Sequence, residues 1–200
     1  MLPQLGCKLL LILRVLMASI VVRQFERIHQ KPVEALFRSG LEAYASLRDL
    51  QAAYVDSQLR PGGDMHDIYS SYIDKDDGCS NFWVALSGDE VVGCVACLPY
   101  TADAVSLELQ RLSVAESHRR SGLGRMLVET VEGWGRAKRK SRVVLSTLME
   151  MNLARTFYMK SGYDEFAFEE RDVSSSFSLP PNSRVLRIVH YQKLLPDSPV

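Results

Sequence analysis

The residues best suited to chemistry in this chain crowd into one short stretch. Between Ser117 and Arg125 stand His118, Arg119, Arg120 and Arg125, with Ser121, Gly122, Leu123 and Gly124 among them and no carboxylate. Cations mixed with glycines suit the capture of a phosphate-bearing polyanion. Before the stretch, Leu107 to Val114 reads as extended chain; after it, Leu123, Met126, Leu127, Val131, Trp134 and Ala137 repeat at i, i+3, i+4 spacing and predict an amphipathic helix. Strand, turn and helix N-terminus in that order make an anion cradle. The first backbone N–H groups of a helix lack intrahelical partners and carry partial positive charge, so a phosphate can take several main-chain hydrogen bonds there. Gly122 and Gly124 are expected to keep side chains out of that approach.

The spacing excludes two phosphate-binding fingerprints. A P-loop needs G-x-x-x-x-G-K-[ST], and the dinucleotide motif needs a third glycine where Leu127 stands. The pattern that is filled is [QR]-x-x-G-x-[GA], by Arg119, Gly122 and Gly124. At this point the chain resembles the GNAT superfamily of acetyl-CoA-dependent N-acetyltransferases. The resemblance continues through R-V-V-L-S-T-L, Arg142 to Leu148, and N-L-A-R-T-F-Y-M-K-S-G-Y, Asn152 to Tyr163, and the family's pattern covers most of residues 19–195. It implies an α/β (α+β) fold: a mixed, mostly antiparallel central sheet of about seven strands flanked by about four helices, with strands 4 and 5 splayed. It also implies acetyl-CoA as co-substrate, no metal, and an amine acceptor that attacks directly in a ternary complex. The coenzyme would be bound by Leu112, Ser113 and Val114, by His118 through Arg125 and by Asn152.

The same resemblance assigns two catalytic roles. Glu108, fourteen residues before Gly122, matches the glutamate that the lysine-acetylating branch uses as base. An alkylammonium with a pKa near about 10 must lose a proton before it attacks, and a desolvated carboxylate can accept it directly or through water. Strand alternation, however, sets Glu108 beside Gln110, and a solvated face would account for both equally. Tyr158 matches the family's tyrosine beside the sulfur and would protonate the leaving thiolate. It also shares a helical face with Ala154, Phe157 and Ser161, which suits a core tyrosine. Asn152 reads either as a ligand of the pantetheine arm or as an N-cap.

The remaining chain must position these groups. Strands are expected at 20–25, 82–86, 91–98 and 185–195, helix over 32–59, a short helix within 64–77, and loop over 169–183. Gly133 and Gly135 disfavour the helix after the cradle, so packing must hold it or it frays. Lys138 to Arg142 reads as a solvated cationic helix end. Cys94 and Cys97 form C-x-x-C in an apolar run, where a three-residue step points them to opposite faces of a strand, so they read as small buried hydrophobes. Residues 17–195 form one domain, preceded by an apolar, basic extension over 1–16 and followed by a tail over 196–200.

Composition narrows the partners. The chain has 200 residues, 46% of them hydrophobic, and balances 24 basic against 24 acidic residues, which argues against nucleic acid as a partner. Four cysteines without framework spacing favour a reducing compartment, hence the cytoplasm. Arg14 interrupts the apolar N-terminal run, which disfavours a membrane anchor, while a targeting use of the extension stays open. Monomer and homodimer both stay open. Three functions remain in view: an acetyltransferase of primary amines in small molecules or proteins, a non-catalytic acyl-CoA-binding module, and a membrane-associated relative acting on cysteine conjugates or lysines.

Overall fold

The computed structural model describes residues 19–42, 48–177 and 184–196. The expected extension over 1–16 lies outside them, as does the tail beyond 196. Seven strands form one sheet in the order β1-β2-β3-β4-β5-β7-β6, comprising β1 (Ile20–Gln24), β2 (Asn81–Ser87), β3 (Glu90–Pro99), β4 (Ser106–Val114), β5 (Arg142–Leu148), β6 (Asp164–Asp172) and β7 (Val185–Leu194). Four α-helices are described: α1 (Gln30–Glu42), α2 (Arg48–Leu59), α3 (Leu123–Ala137) and α4 (Asn152–Lys160). Only β4 and β5 pair in parallel; every other neighbour is antiparallel.

Two apolar layers sandwich this sheet. Leu123, Leu127, Val128 and Val131 of α3 and Tyr158 of α4 bury against Val92, Val95, Leu107, Leu109, Val143 and Leu145 on one face. Val33, Leu36 and Phe37 of α1 bury with Phe82, Val84, Cys94 and Ala96 on the other. Because β2 and β3 are covered on both faces, their sequences are continuous apolar runs rather than alternating ones. Cys94 and Cys97 accordingly fall in opposite layers, and burial pushes the Cys94 thiol up to about 12. No described helix is long and apolar enough to cross a membrane, which leaves strand-built spans unaddressed.

Three expectations change. The helix expected over 32–59 is described as two, α1 and α2, with residues 43–47 outside the described set. Within 64–77 the short helix is a single π-helical turn, Tyr69–Ile73, closed by the Asp74 amide on the Tyr69 carbonyl at 2.9 Å. The loop expected from 169 begins later, since β6 continues to Asp172. As an edge strand paired only with β7, β6 keeps nearly every side chain exposed, so Glu169, Glu170 and Arg171 give no alternating apolar signal.

Helix α3 runs unbroken to Ala137 despite Gly133 and Gly135. Gly135 is where packing secures it: a Cβ there would lie 2.7 Å from Leu195 and 3.5 Å from Leu107. Both α3 and α4 end in Schellman motifs. The Lys140 amide donates to Gly135 O with Arg139 left-handed at φ +55°, and the Tyr163 amide donates to Tyr158 O with Gly162 at φ +84°. The basic cluster after α3 is structural: Lys140 Nζ donates to Ala104 O at 2.7 Å, and Arg142 pairs with Asp103 and Gln192.

Candidate active site

The cradle forms at the N-terminus of α3. Its N-cap, Gly122, has φ +92° and no side-chain cap, and Arg120 is also left-handed at φ +62°. The Ser121 hydroxyl donates to His118 O at 2.7 Å and takes a long 3.4 Å hydrogen bond from the Leu123 amide. Among the described residues, the amides of Gly124 and Arg125 have no hydrogen-bond acceptor, and the first intrahelical bond of the turn is that of Met126 to Gly122 O. The two glycines differ in their surroundings. Gly122 meets nothing within 4 Å and serves the left-handed turn, whereas a Cβ on Gly124 would lie 3.3 Å from two ring carbons of Phe157. Gly124 therefore lets α3 close on α4.

His118 sits on the short 3₁₀ turn Glu116–His118 with its Nδ1 2.9 Å from the Ser117 hydroxyl. Arg119 folds back, its Nε 3.3 Å from Val114 O, and Arg125 reaches Lys160 O at the end of α4 at 3.3 Å. Leu112 and Val114 are half-buried on the α3 side of β4, while Ser113 lies opposite Gly40 of α1, 3.4 Å from where a Cβ would stand.

Below the cradle the sheet splits. β4 pairs with β5 only through Ser106↔Arg142, Leu107↔Val143 and Glu108↔Val144; beyond that, β5 continues against β7 alone. Residues 109–114 of β4 thus separate from β5. On its other side β4 carries a bulge opposite Cys94 to Ala96, with Arg111 left-handed at φ +56°.

Glu108 stands on the last rung before the split. It is half-buried, on the face opposite Leu107 and Leu109, and so on the α1/α2 side. Gln110 shares that face and lies 3.3 Å from the Tyr72 hydroxyl. This is no solvated face. Tyr72 is fully buried, its hydroxyl donates to Asp64, and burial pushes its pKa far up.

Tyr158 lies on the opposite face. Its ring packs on Phe157 at 5.3 Å, Tyr163 at 6.0 Å and Tyr191 at 6.3 Å. Tyr191 pairs with Leu145, one residue past the last β4–β5 rung. The Schellman motif fixes the ring, since Tyr163 at its outer end rests on Tyr158 at its inner end. Asn152 is the exposed first residue of α4; Met151 holds the N-cap position without a side-chain cap, so capping is not what Asn152 does. The described residues hold no cluster of three His, Cys, Asp or Glu groups able to bind a metal.

Residues 45–163 match the pattern described as the Acetyltransferase (GNAT) family. The chain belongs to the GNAT acetyltransferase family. Among curated proteins, it is similar to N-acetyltransferase 8 of Homo sapiens, 35% identical over 150 residues that cover 74% of this chain and 62% of that protein. It is also similar to N-acetyltransferase 8F1 of Rattus norvegicus, 39% identical over 115 residues, 56% of this chain and 50% of that one. The chain thus spans about half to three-fifths of the length of these GNAT relatives. A crystal structure of a Bacillus anthracis protein in complex with acetyl coenzyme A shares the fold, with TM-score 0.54 and 17% identity over 66% of this chain and 70% of that one.

Sequence reasoning missed the side chain that dominates the α1/α2 side of β4. Arg111 reads as one polar residue in E-L-Q-R-L-S-V, yet its guanidinium is nearly buried against Asp64, Gln58 and Tyr54. Its partners are 47 to 57 residues away, so no local pattern could reveal them.

Proposed function

We propose that the chain transfers an acetyl group from acetyl-CoA to a primary amine of a small molecule or of a peptide or protein, by direct attack in a ternary complex. The observation that carries this reading is the position of Glu108 on the last rung where β4 and β5 part, with the Tyr158 ring packed by the opposite face one residue beyond. A thioester laid through that split would meet a carboxylate from one side and a phenol from the other.

The coenzyme fits the groups present. The amides of Gly124 and Arg125, the left-handed turn at Arg120 to Gly122, His118 and the cationic Arg119 and Arg125 would receive its diphosphate. Its pantetheine would follow Leu112, Ser113 and Val114 down the open edge of β4, with Asn152 at the α4 side. When bound, acetyl-CoA supplies an activated acyl group. Glu108 would take the ammonium proton directly or through water, main-chain donors of the open edge would face the charge that develops on the carbonyl oxygen, and the Tyr158 hydroxyl would protonate the departing thiolate. The free thiols of Cys79, Cys94 and Cys97 support a reducing compartment such as the cytoplasm.

The test mixes the purified full chain with acetyl-CoA and a panel of amino acids, polyamines, cysteine conjugates and lysine peptides, and measures free thiol. Turnover with at least one amine is expected, with kcat lower by about 10²–10⁴-fold in Glu108→Gln. Calorimetric coenzyme A binding without turnover of any amine, unchanged in Glu108→Gln and Tyr158→Phe, would establish a binding module instead.

A further inference from the structure

Helix α2 is attached to the sheet in an unusual way. Among its described side chains only Val55 is buried, with Leu59 half-buried against the same cluster. Its polar side chains add a second attachment. The Arg111 guanidinium bonds the Tyr54 hydroxyl and, at 2.9 Å, Gln58 Oε1, and it stands 5.6 Å from the ring centres of both Tyr54 and Phe37. It also holds both oxygens of Asp64, at 2.7 and 2.8 Å. Asp64 in turn accepts the Tyr72 hydroxyl, which neighbours Gln110. One side chain on β4 thus fastens residues 54–72 above the strand, three positions from Glu108. The backbone at Arg111 is left-handed, a conformation that a non-glycine residue keeps only where its surroundings enforce it. This network does so.

We infer that Arg111 is a positioning residue for the amine acceptor: through Asp64, Gln58 and Tyr54 it holds residues 54–72 on the Glu108 face of β4 and so shapes the acceptor entrance. The inference rests on the proposed acetyl transfer, because only then is the Glu108 face the acceptor face. The cradle and Tyr158 lie across the sheet. A loosened α2 should therefore disturb the acceptor and spare the coenzyme.

The experiment compares Arg111→Ala, Arg111→Gly and Asp64→Asn in the full chain, using coenzyme A calorimetry, hydrogen exchange of the α2 amides, and steady-state kinetics with whichever panel amine the wild type acetylates. All three variants should exchange the α2 amides faster, raise the acceptor KM by about tenfold or more, and keep coenzyme A affinity within about threefold. Recovery of the wild-type acceptor KM by Arg111→Gly but not Arg111→Ala would overturn the inference, since the strained backbone alone would then be at work. An equal loss of coenzyme A affinity would overturn it too, as would unchanged α2 exchange. A wild-type chain that binds coenzyme A and acetylates no amine refutes the transfer reading, and the acceptor role falls with it; faster α2 exchange in the variants would still establish the tether.

Discussion

Gly122 and Gly124 stand two residues apart and should fail for different reasons when each becomes alanine. At Gly122 an added Cβ has open space, but φ is +92°, so the cost is that of a left-handed L-residue, about 1–2 kcal/mol, which no neighbour can relieve by moving. At Gly124 the backbone is helical and alanine gains about 1 kcal/mol in propensity, while the Cβ meets Phe157 at 3.3 Å and overpacks the α3–α4 contact by about 1–3 kcal/mol. Net losses of about 1–2 kcal/mol at Gly122 and about 0–2 kcal/mol at Gly124 correspond to shifts of up to about 8 °C in Tm. Phe157→Leu separates them. Combined with Gly124→Ala it should give a favourable coupling of about 1 kcal/mol, and combined with Gly122→Ala it should add without coupling. Thermal and urea unfolding of the five variants measure the cycle. Equal additivity in both backgrounds, within about 0.3 kcal/mol, would refute the claim that Gly124 exists for the helix contact. The same variants report on the cradle, because Gly122→Ala should weaken coenzyme A binding even though it touches nothing.

The two Schellman ends make opposite predictions: Arg139→Gly should raise stability by about 1 kcal/mol by relieving a left-handed arginine, and Gly162→Ala should lower it by about as much, both read as shifts in the unfolding midpoint. Glu132 is 3% exposed and holds Lys193 Nζ at 2.8 Å and the Tyr163 hydroxyl at 3.2 Å, so Glu132→Gln should cost about 3 kcal/mol in urea unfolding by leaving the lysine without its counter-charge. Burial lowers the pKa of His29, whose Nδ1 accepts the Glu26 amide at 2.9 Å; Glu26 opposes this shift and Arg23 reinforces it. Below its unfolded pKa of about 6.5 the unfolded chain binds the proton that the fold refuses, so stability present above that pH falls as pH drops through the lowered folded value. His29→Gln should flatten that part of the stability profile, and an unchanged slope would count against the assignment.

The cradle was legible in the sequence because its information is local. A strand, a glycine-spaced turn and an i, i+3, i+4 helix follow one another within residues 107–137, and each leaves its own period. The Cys94 and Cys97 faces followed from the same alternation. The seating of α2 was not legible, since Tyr54 and Gln58 bond Arg111, far along the chain. The meaning of Gly124 was also hidden: sequence shows that a side chain is missing, but only packing shows that Phe157 occupies the space beside it. The end of edge strand β6, Glu169 to Asp172, escaped because exposure on both faces erases the alternation that marks a strand.

The parting of β4 from β5 has a mechanical consequence. Among the described residues, strand pairing between the four strands on one side and the three on the other is confined to Ser106 to Glu108 against Arg142 to Val144, with Arg142 bonding Ser106 and Asp103 at the same end. The sheet is in effect two leaves on a short hinge, spanned elsewhere by helix packing, and backbone exchange should be quickest to reveal motion along that line. A ligand threaded there would bridge the leaves, so its binding should tighten both halves of the molecule at once rather than a single loop.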